Sequence, residues 1–332
     1  MMPQPILSVR NLRLVFESMR GRFHALNGVR LDIAAGEVLG IVGESGCGKS
    51  SLALATIGLL PTSSRIVGGS EILFNGKNLL SMNDAQMELV RGTGISMIFQ
   101  EPLTSLNPIF TIGDQLSEAV KIAAIRRHPE LAASKKSVKE DFKEEATSWL
   151  RKVGFPDPEH ALERYPHELS GGMRQRVMIS MALAESPKLM LADEPTSFLD
   201  VTTQAQILEL TSSLVHDARA SVMMISHDLA VVAQISDRVV VMYAGIVVED
   251  APIPEIYEKP LHPYTQALLS CLPKEGARRR LEMIPGAPPS LREAPRGCPY
   301  QPRCAYAKEI CKGETPQLKE VSPGHHVACV LY

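Results

Sequence analysis

A chain of 332 residues, with 45% hydrophobic and 22% charged side chains, has apolar material for one large or two modest domains. Lys and Arg number 35 against 37 Asp and Glu, and the net charge of -2 gives no global attraction for a nucleic-acid polyanion. No apolar run approaches the roughly 20 residues that span a bilayer. The opening Met1-Met2-Pro3-Gln4-Pro5 lacks the pattern of a signal peptide. The expectation is a cytosolic chain whose six cysteines are not disulfides.

Residues 6 to 42 alternate and turn like antiparallel strands, with Ile6–Arg10 and Val29–Ile33 as two of them. Phe16 or Phe23 could offer an aromatic face to a base, or simply be half-buried strand residues. Glu37–Val42 reads as a buried strand and Ser51–Ile57 as a helix. Between them lies Gly43-Glu44-Ser45-Gly46-Cys47-Gly48-Lys49-Ser50, which fits G-x-x-x-x-G-K-[ST], the phosphate-cradling P-loop. Its glycines let backbone N–H groups approach an anion, and the helix N-terminus adds positive potential. Lys49 would reach the outer phosphates and Ser50 would sit on Mg²⁺. Cys47, at that helix start, reads as a small filler whose thiol could be unusually acidic and open to alkylation.

Ser70–Phe74, closed by Asn75-Gly76, reads as a hairpin strand. Ile95–Gln100 is an apolar strand ending in an amide, a place for a metal or water ligand. Residues 103 to 168 turn helical, with a charged, solvated run from Arg126 to Glu145. Leu169-Ser170-Gly171-Gly172-Met173-Arg174-Gln175-Arg176 then opens a helix from Met173 to Glu185; its serine is either an N-cap or part of a second anion site. Lys188–Glu194 is an apolar strand ending in two carboxylates. Beside a P-loop, Asp193 would hold Mg²⁺ and Glu194 would polarise a water for in-line attack. Ser221–Ser226 is another strand, followed by His227, and 238–242 with 246–248 form a hairpin.

The order P-loop, Gln100, Ser170-Gly171-Gly172, Asp193-Glu194 and His227 resembles the nucleotide-binding subunit of ATP-binding-cassette transporters over about residues 6 to 250. The resemblance implies an α/β fold: a P-loop NTPase cassette with an antiparallel β subdomain and a helical insertion at about 103–185, then a loop-rich C-terminal extension. The domains would be 1–250 and 251–332. Two cassettes would close head to tail on two ATP molecules, each P-loop facing the partner's signature. ATP would be bound by Phe16, Ser45, Gly46, Cys47, Gly48, Lys49, Ser50, Ser51, Gln100, Ser170, Gly171, Gly172 and Gln175. Mg²⁺ would sit on Ser50, Gln100 and Asp193, and Glu194 and His227 would be catalytic. Phe16 best fits the adenine-stacking position. Phe198 in Ser197-Phe198-Leu199-Asp200 replaces the usual alanine of the D-loop, which concerns packing at the dimer seam.

Pro260-Leu261-His262-Pro263-Tyr264-Thr265 and Gly297-Cys298-Pro299-Tyr300-Gln301-Pro302-Arg303-Cys304 resemble the tail of dipeptide and oligopeptide importer ATPases, shared by nickel importers. Four cysteines, Cys298, Cys304, Cys311 and Cys329, fall in the last 35 residues. Four thiolates suit zinc or an iron–sulfur cluster. The resemblance implies a [4Fe–4S] cluster, with His325 and His326 as fallback ligands. It also implies an ATPase that powers peptide import from the cytoplasmic face of the inner membrane. Its partners would be a related second ATPase subunit, two transmembrane permeases and an extracytoplasmic substrate-binding protein, with no nucleic acid. Uptake of nickel or another small solute is the alternative. A nucleic-acid-associated ATPase fits less well, because only about 120 residues without sustained heptads separate Gly48 from Ser170. A non-enzymatic scaffold is disfavoured by the intact Lys49, Asp193, Glu194 and His227.

Overall fold

A computed structural model describes residues 4–19, 21–128, 138–272 and 283–332. Residues 129–137 of the charged run and Met1-Met2-Pro3 lie outside the described residues. The chain divides into two compact units, 1–82 with 223–332, and 83–222.

The first unit opens with two long strands, β1 (Leu7–Ser18) and β2 (Gly21–Ile33), followed by β3 (Val38–Val42), α1 (Lys49–Ile57), β4 (Ser64–Ile66), β5 (Glu71–Phe74) and β6 (Lys77–Asn78). Strands β2-β1-β5-β6 form an antiparallel sheet, and β4 pairs with β1. Alternation of buried Leu12 and Leu14 with exposed Arg13 marks one wet face. The strands run well beyond the expected limits, to Ser18 and back from Gly21. Register shifts after Val9 break the simple alternation, so the buried Leu12, Leu14 and Val15 do not read as a continuation of the same strand. Register shifts interrupt the β1–β2 ladder at three points and twist it.

β3 is apolar throughout and almost wholly buried, the signature of a strand covered on both faces. The chain returns to this unit at β9 (Ser221–Ser226), and α9 (Leu229–Ala233), β10 (Arg238–Tyr243), β11 (Ile246–Pro252), α10 (Ile253–Glu258), α11 (Pro263–Ser270), β12 (Lys319–Ser322) and β13 (His325–Val327) complete it. These strands lie in the order β12-β13-β11-β10-β3-β9, with β10 parallel to β3. Arg238 ties the hairpin to the earlier sheet. It grips Asp250 with two bonds of 2.6 and 2.7 Å, Glu37 at 2.7 Å and the Asp32 carbonyl at 2.6 Å.

The second unit holds α2 (Asp84–Val90), β7 (Ile95–Ile98), α3 (Pro102–Ser105), α4 (Ile112–Arg127), α5 (Val138–Lys152), α6 (Pro158–Ala161), α7 (Gly171–Ala184), β8 (Leu189–Asp193) and α8 (Val201–Ala218). β7 and β8 pair in parallel. β7 stops at Ile98, so Phe99 and Gln100 belong to the loop that follows. A capping box between Thr111 and Asp114 starts α4, which packs against α5 and α7. Arg126 near the end of α4 pairs with Glu185 at 2.6 Å and with the carbonyls of Arg91 and Glu88.

Candidate phosphate loop and carboxylate site

In the first unit the glycine loop joins β3 to α1. A Cβ on Gly43 would meet the Met242 carbonyl oxygen at 2.2 Å, and one on Gly48, at φ 106°, would meet the Ala25 oxygen at 2.7 Å. Only glycine lets the loop pass this close to its neighbours. Gly48 stands at the N-cap without a side-chain cap, which leaves the start of α1 suited to an anion. Lys49 is buried, and its ammonium donates to the Gly43 oxygen at 2.7 Å and the Glu44 oxygen at 3.2 Å. Ser45 and Gly46 are exposed, and Ser50 and Ser51 are half-buried.

Beside the loop lies a cavity of about 190 Å³ lined by Phe23, Ser45, Gly46, Cys47, Tyr243 and Leu291, among others. Phe16 is half-buried and is the cross-strand partner of Phe23. His227 follows β9 directly and is exposed.

Cys47 is 4% exposed. Burial pushes its thiol up, against the pull of Lys49. The expected acidic thiol is not supported: desolvation outweighs the Lys49 charge and the local hydrogen bonds.

In the second unit, Asp193 ends β8 and is buried, and Glu194 follows with φ 46°, in the left-handed region. Its Oε2 accepts from Ser197 Oγ at 2.7 Å and from Gln100 Nε2 at 3.3 Å. The structure thus brings Gln100 and Glu194 together from loops 94 residues apart. Ser170 caps α7, its Oγ accepting from the Met173 N–H at 3.3 Å. Gly171 and Gly172 form the first turn, where a Cβ on Gly172 would strike Thr203 Cγ2 at 2.6 Å. Gln175 is buried, and its Nε2 has no hydrogen-bond partner among the described residues. Phe198 is 81% exposed at φ 68°.

A family model described as ABC transporter matches residues 26–197, and one described as the C-terminal region of oligopeptide/dipeptide transporters matches residues 248–311. The chain belongs to the ABC transporter family. This ABC transporter chain is 45% identical to the oligopeptide transport ATP-binding protein of Salmonella typhimurium, over 98% of its own length and 95% of the relative's. It is also 45% identical to the dipeptide transport ATP-binding protein of Bacillus subtilis, over 99% and 95%. Among solved structures it resembles a dimeric ATP-binding cassette in a post-hydrolysis state bound to ADP and Pi, with TM-score 0.63, 24% identity and cover of 74% of this chain and 98% of that one. That likeness establishes the fold. A second neighbour is cbiO1 from Clostridium perfringens, part of an ABC transporter complex, with TM-score 0.60, 26% identity and cover of 78% and 93%. Among the described residues of this ABC chain no helix is long and apolar enough to cross a membrane.

The cysteine expectation is corrected. Cys298, Cys304, Cys311 and Cys329 do line one cavity. Among the described residues no group of three or more His, Cys, Asp or Glu is arranged to hold a metal ion, so neither the [4Fe–4S] cluster nor zinc is supported. The His325 imidazole is not a ligand in reserve, because it is committed to Glu249. His325 is buried, and its Nε2 lies 2.8 Å from Glu249 Oε1. His326 sits in the β11–β13 ladder opposite Asp250.

Sequence reasoning gave Glu44, Tyr264 and Arg303 no role. The Glu44 N–H donates to Tyr264 Oη at 2.8 Å, and Arg303 forks the Glu44 carboxylate at 2.7 and 2.9 Å. The Tyr264 and Arg303 motifs were visible, but nothing in a sequence pairs them with a loop more than 200 residues earlier.

Proposed function

We propose that this chain is the ATP-hydrolysing subunit that powers import of dipeptides or oligopeptides through a membrane ABC transporter. The observation that carries this is the glycine loop, closed on Lys49 at the head of α1, in a chain whose tail matches the oligopeptide/dipeptide region. Peptide transport ATP-binding proteins at 45% identity over nearly the whole chain support the same reading.

In this proposal Ser45 to Ser51 cradle the phosphates, Lys49 neutralises the outer ones and an aromatic strand residue, Phe16 or Phe23, meets the base. Mg²⁺ neutralises charge across the phosphate oxygens. Ser50, Gln100 and Asp193 would hold it, and the hydroxyl, amide and carboxylate oxygens they offer fit a hard cation. Glu194 orients or deprotonates the attacking water, with Gln100 steadying it, and His227 holds the γ-phosphate. Ser170, Gly171, Gly172 and Gln175 present a helix N-terminus to the ATP of a second, related ATPase subunit. Two permeases and an extracytoplasmic substrate-binding protein complete the assembly on the cytoplasmic face of the inner membrane.

The test is Glu194→Gln with its partner subunits present. Nucleotide binding should persist while turnover falls by about 10²- to 10⁴-fold, the range of general base catalysis. Near-normal turnover would remove Glu194 as the base.

A further inference from the structure

A phosphate loop is an anion site, yet this one carries a carboxylate, Glu44, directly after its first glycine. That charge is answered by one group. The Arg303 guanidinium makes two parallel bonds to it, at 2.7 and 2.9 Å, and its side chain is only 4% exposed. The remaining guanidinium hydrogens are also used: they reach Tyr243 Oη at 3.1 Å, the Pro285 oxygen at 2.8 Å and the Ile284 oxygen at 3.4 Å. Tyr243 and Tyr300 present their rings to this arginine, 5.8 and 5.9 Å from its guanidinium carbon, and Tyr264 packs on both. Tyr243, Tyr264 and Tyr300 contact one another with ring centres 4.6 to 5.3 Å apart. One of them, Tyr264, accepts the Glu44 N–H. The turn after Tyr243 holds the other side of the loop, with the Gly245 N–H donating to the Cys47 oxygen at 3.0 Å.

We propose that Arg303 and Tyr264 are positioning residues for the phosphate loop, so that the C-terminal region sets how tightly the loop binds nucleotide. Arg303 cancels the Glu44 charge next to the phosphates, and Tyr264 fixes the backbone at the loop's entry. A bidentate arginine pair gives both charge and direction, which a purely apolar dock would not need. The inference rests on the reading that this loop binds ATP.

The experiment titrates the full chain with a fluorescent methylanthraniloyl ATP. Arg303→Met should weaken binding at least tenfold, because it leaves Glu44 charged and unanswered. Glu44→Gln should bind at least as tightly as the wild type, and the double variant should return to within about threefold of it. Arg303→Lys, which keeps the charge but loses the fork, should bind more tightly than Arg303→Met and more weakly than the wild type, and it serves where Arg303→Met does not fold. Tyr264→Phe should weaken binding a few-fold at unchanged ionic-strength dependence, while the Arg303→Met defect should shrink as salt rises. A double variant as weak as Arg303→Met, or an Arg303→Lys variant as weak as Arg303→Met, overturns the proposal. A wild type without affinity overturns the ATP reading as well, and so is told apart from failure of the latch alone.

Discussion

Gly48 shows what a single side chain decides. Its φ of 106° is strained for any other residue, and an added Cβ would press on the Ala25 oxygen at 2.7 Å. Gly48→Ala should abolish nucleotide binding and lower the melting temperature, both readable in one thermal-shift titration with ATP; an unchanged ATP-dependent shift would show the loop tolerates the methyl. Cys47 makes the opposite case. With its thiol buried and pushed up, labelling by N-ethylmaleimide at neutral pH should lag well behind that of an exposed model thiol, as peptide mass spectrometry would record. Rapid labelling would contradict the burial. The loop motif was legible because glycine, lysine and hydroxyl spacing is fixed by the chemistry of phosphate. The thiol was not, because its state depends on neighbours far away in sequence, such as the Met242 and Gly245 turn that closes over the loop.

Elements were legible where burial and period agreed. β3 and β8, short apolar runs between polar ends, were read almost to the residue. β1 and β2 were read short because register shifts break their alternation. The tie between β10, β11 and the earlier sheet was not readable at all, since Arg238, Glu37 and Asp250 are distant and individually ordinary. Arg238→Met leaves the buried Asp250 and the half-buried Glu37 without their cation, and should cost about 3–5 kcal/mol by urea unfolding. A loss below 1 kcal/mol would mean that water takes over the arginine's role. At the head of α11, His262 is 1% exposed, and its Nδ1 accepts the Tyr264 N–H at 3.0 Å. Burial holds its pKa down to about 3, from 6.5. The unfolded chain takes up that proton as pH falls through 6.5 while the folded chain refuses it until about 3. The histidine's contribution is therefore whole above about pH 6.5 and drains away between 6.5 and 3. His262→Asn, which can still cap, should flatten the acid side of the melting profile; an identical profile would show that His262 takes no part in it.

At the scale of the whole molecule, the chain leaves its first unit at residue 82 and returns at 223. A sequence reads in one direction and could mark the helical stretch, but not that residues 83–222 gather as a unit of their own. The family, by contrast, was legible from motif order alone, because phosphate chemistry puts the same few groups in the same sequence of loops. The metal at the cysteine tail was misread from clustering: four thiols close in sequence did not say whether the fold arranges them as ligands, and among the described residues no group of three or more is so arranged. If the chain works as proposed, Glu194→Gln with ATP and its partner ATPase should elute as a stable pair in size exclusion, and wild type should not; equal elution would count against closure on ATP.

One buried acid has a practical consequence. Glu249, fully inaccessible, accepts from the Leu261 and His262 N–H groups at 2.7 and 2.9 Å and faces the His325 imidazole at 2.8 Å. All three companions lie downstream, two just after α10 and one in β13, near the far end of the chain. Trimming the protein back to a minimal engine ending near residue 252 would remove all three partners of this carboxylate and leave β11 without its neighbour β13. Shortened versions should therefore be less stable than the full chain, which urea unfolding of the two side by side would read; equal stability would show that water replaces the lost partners.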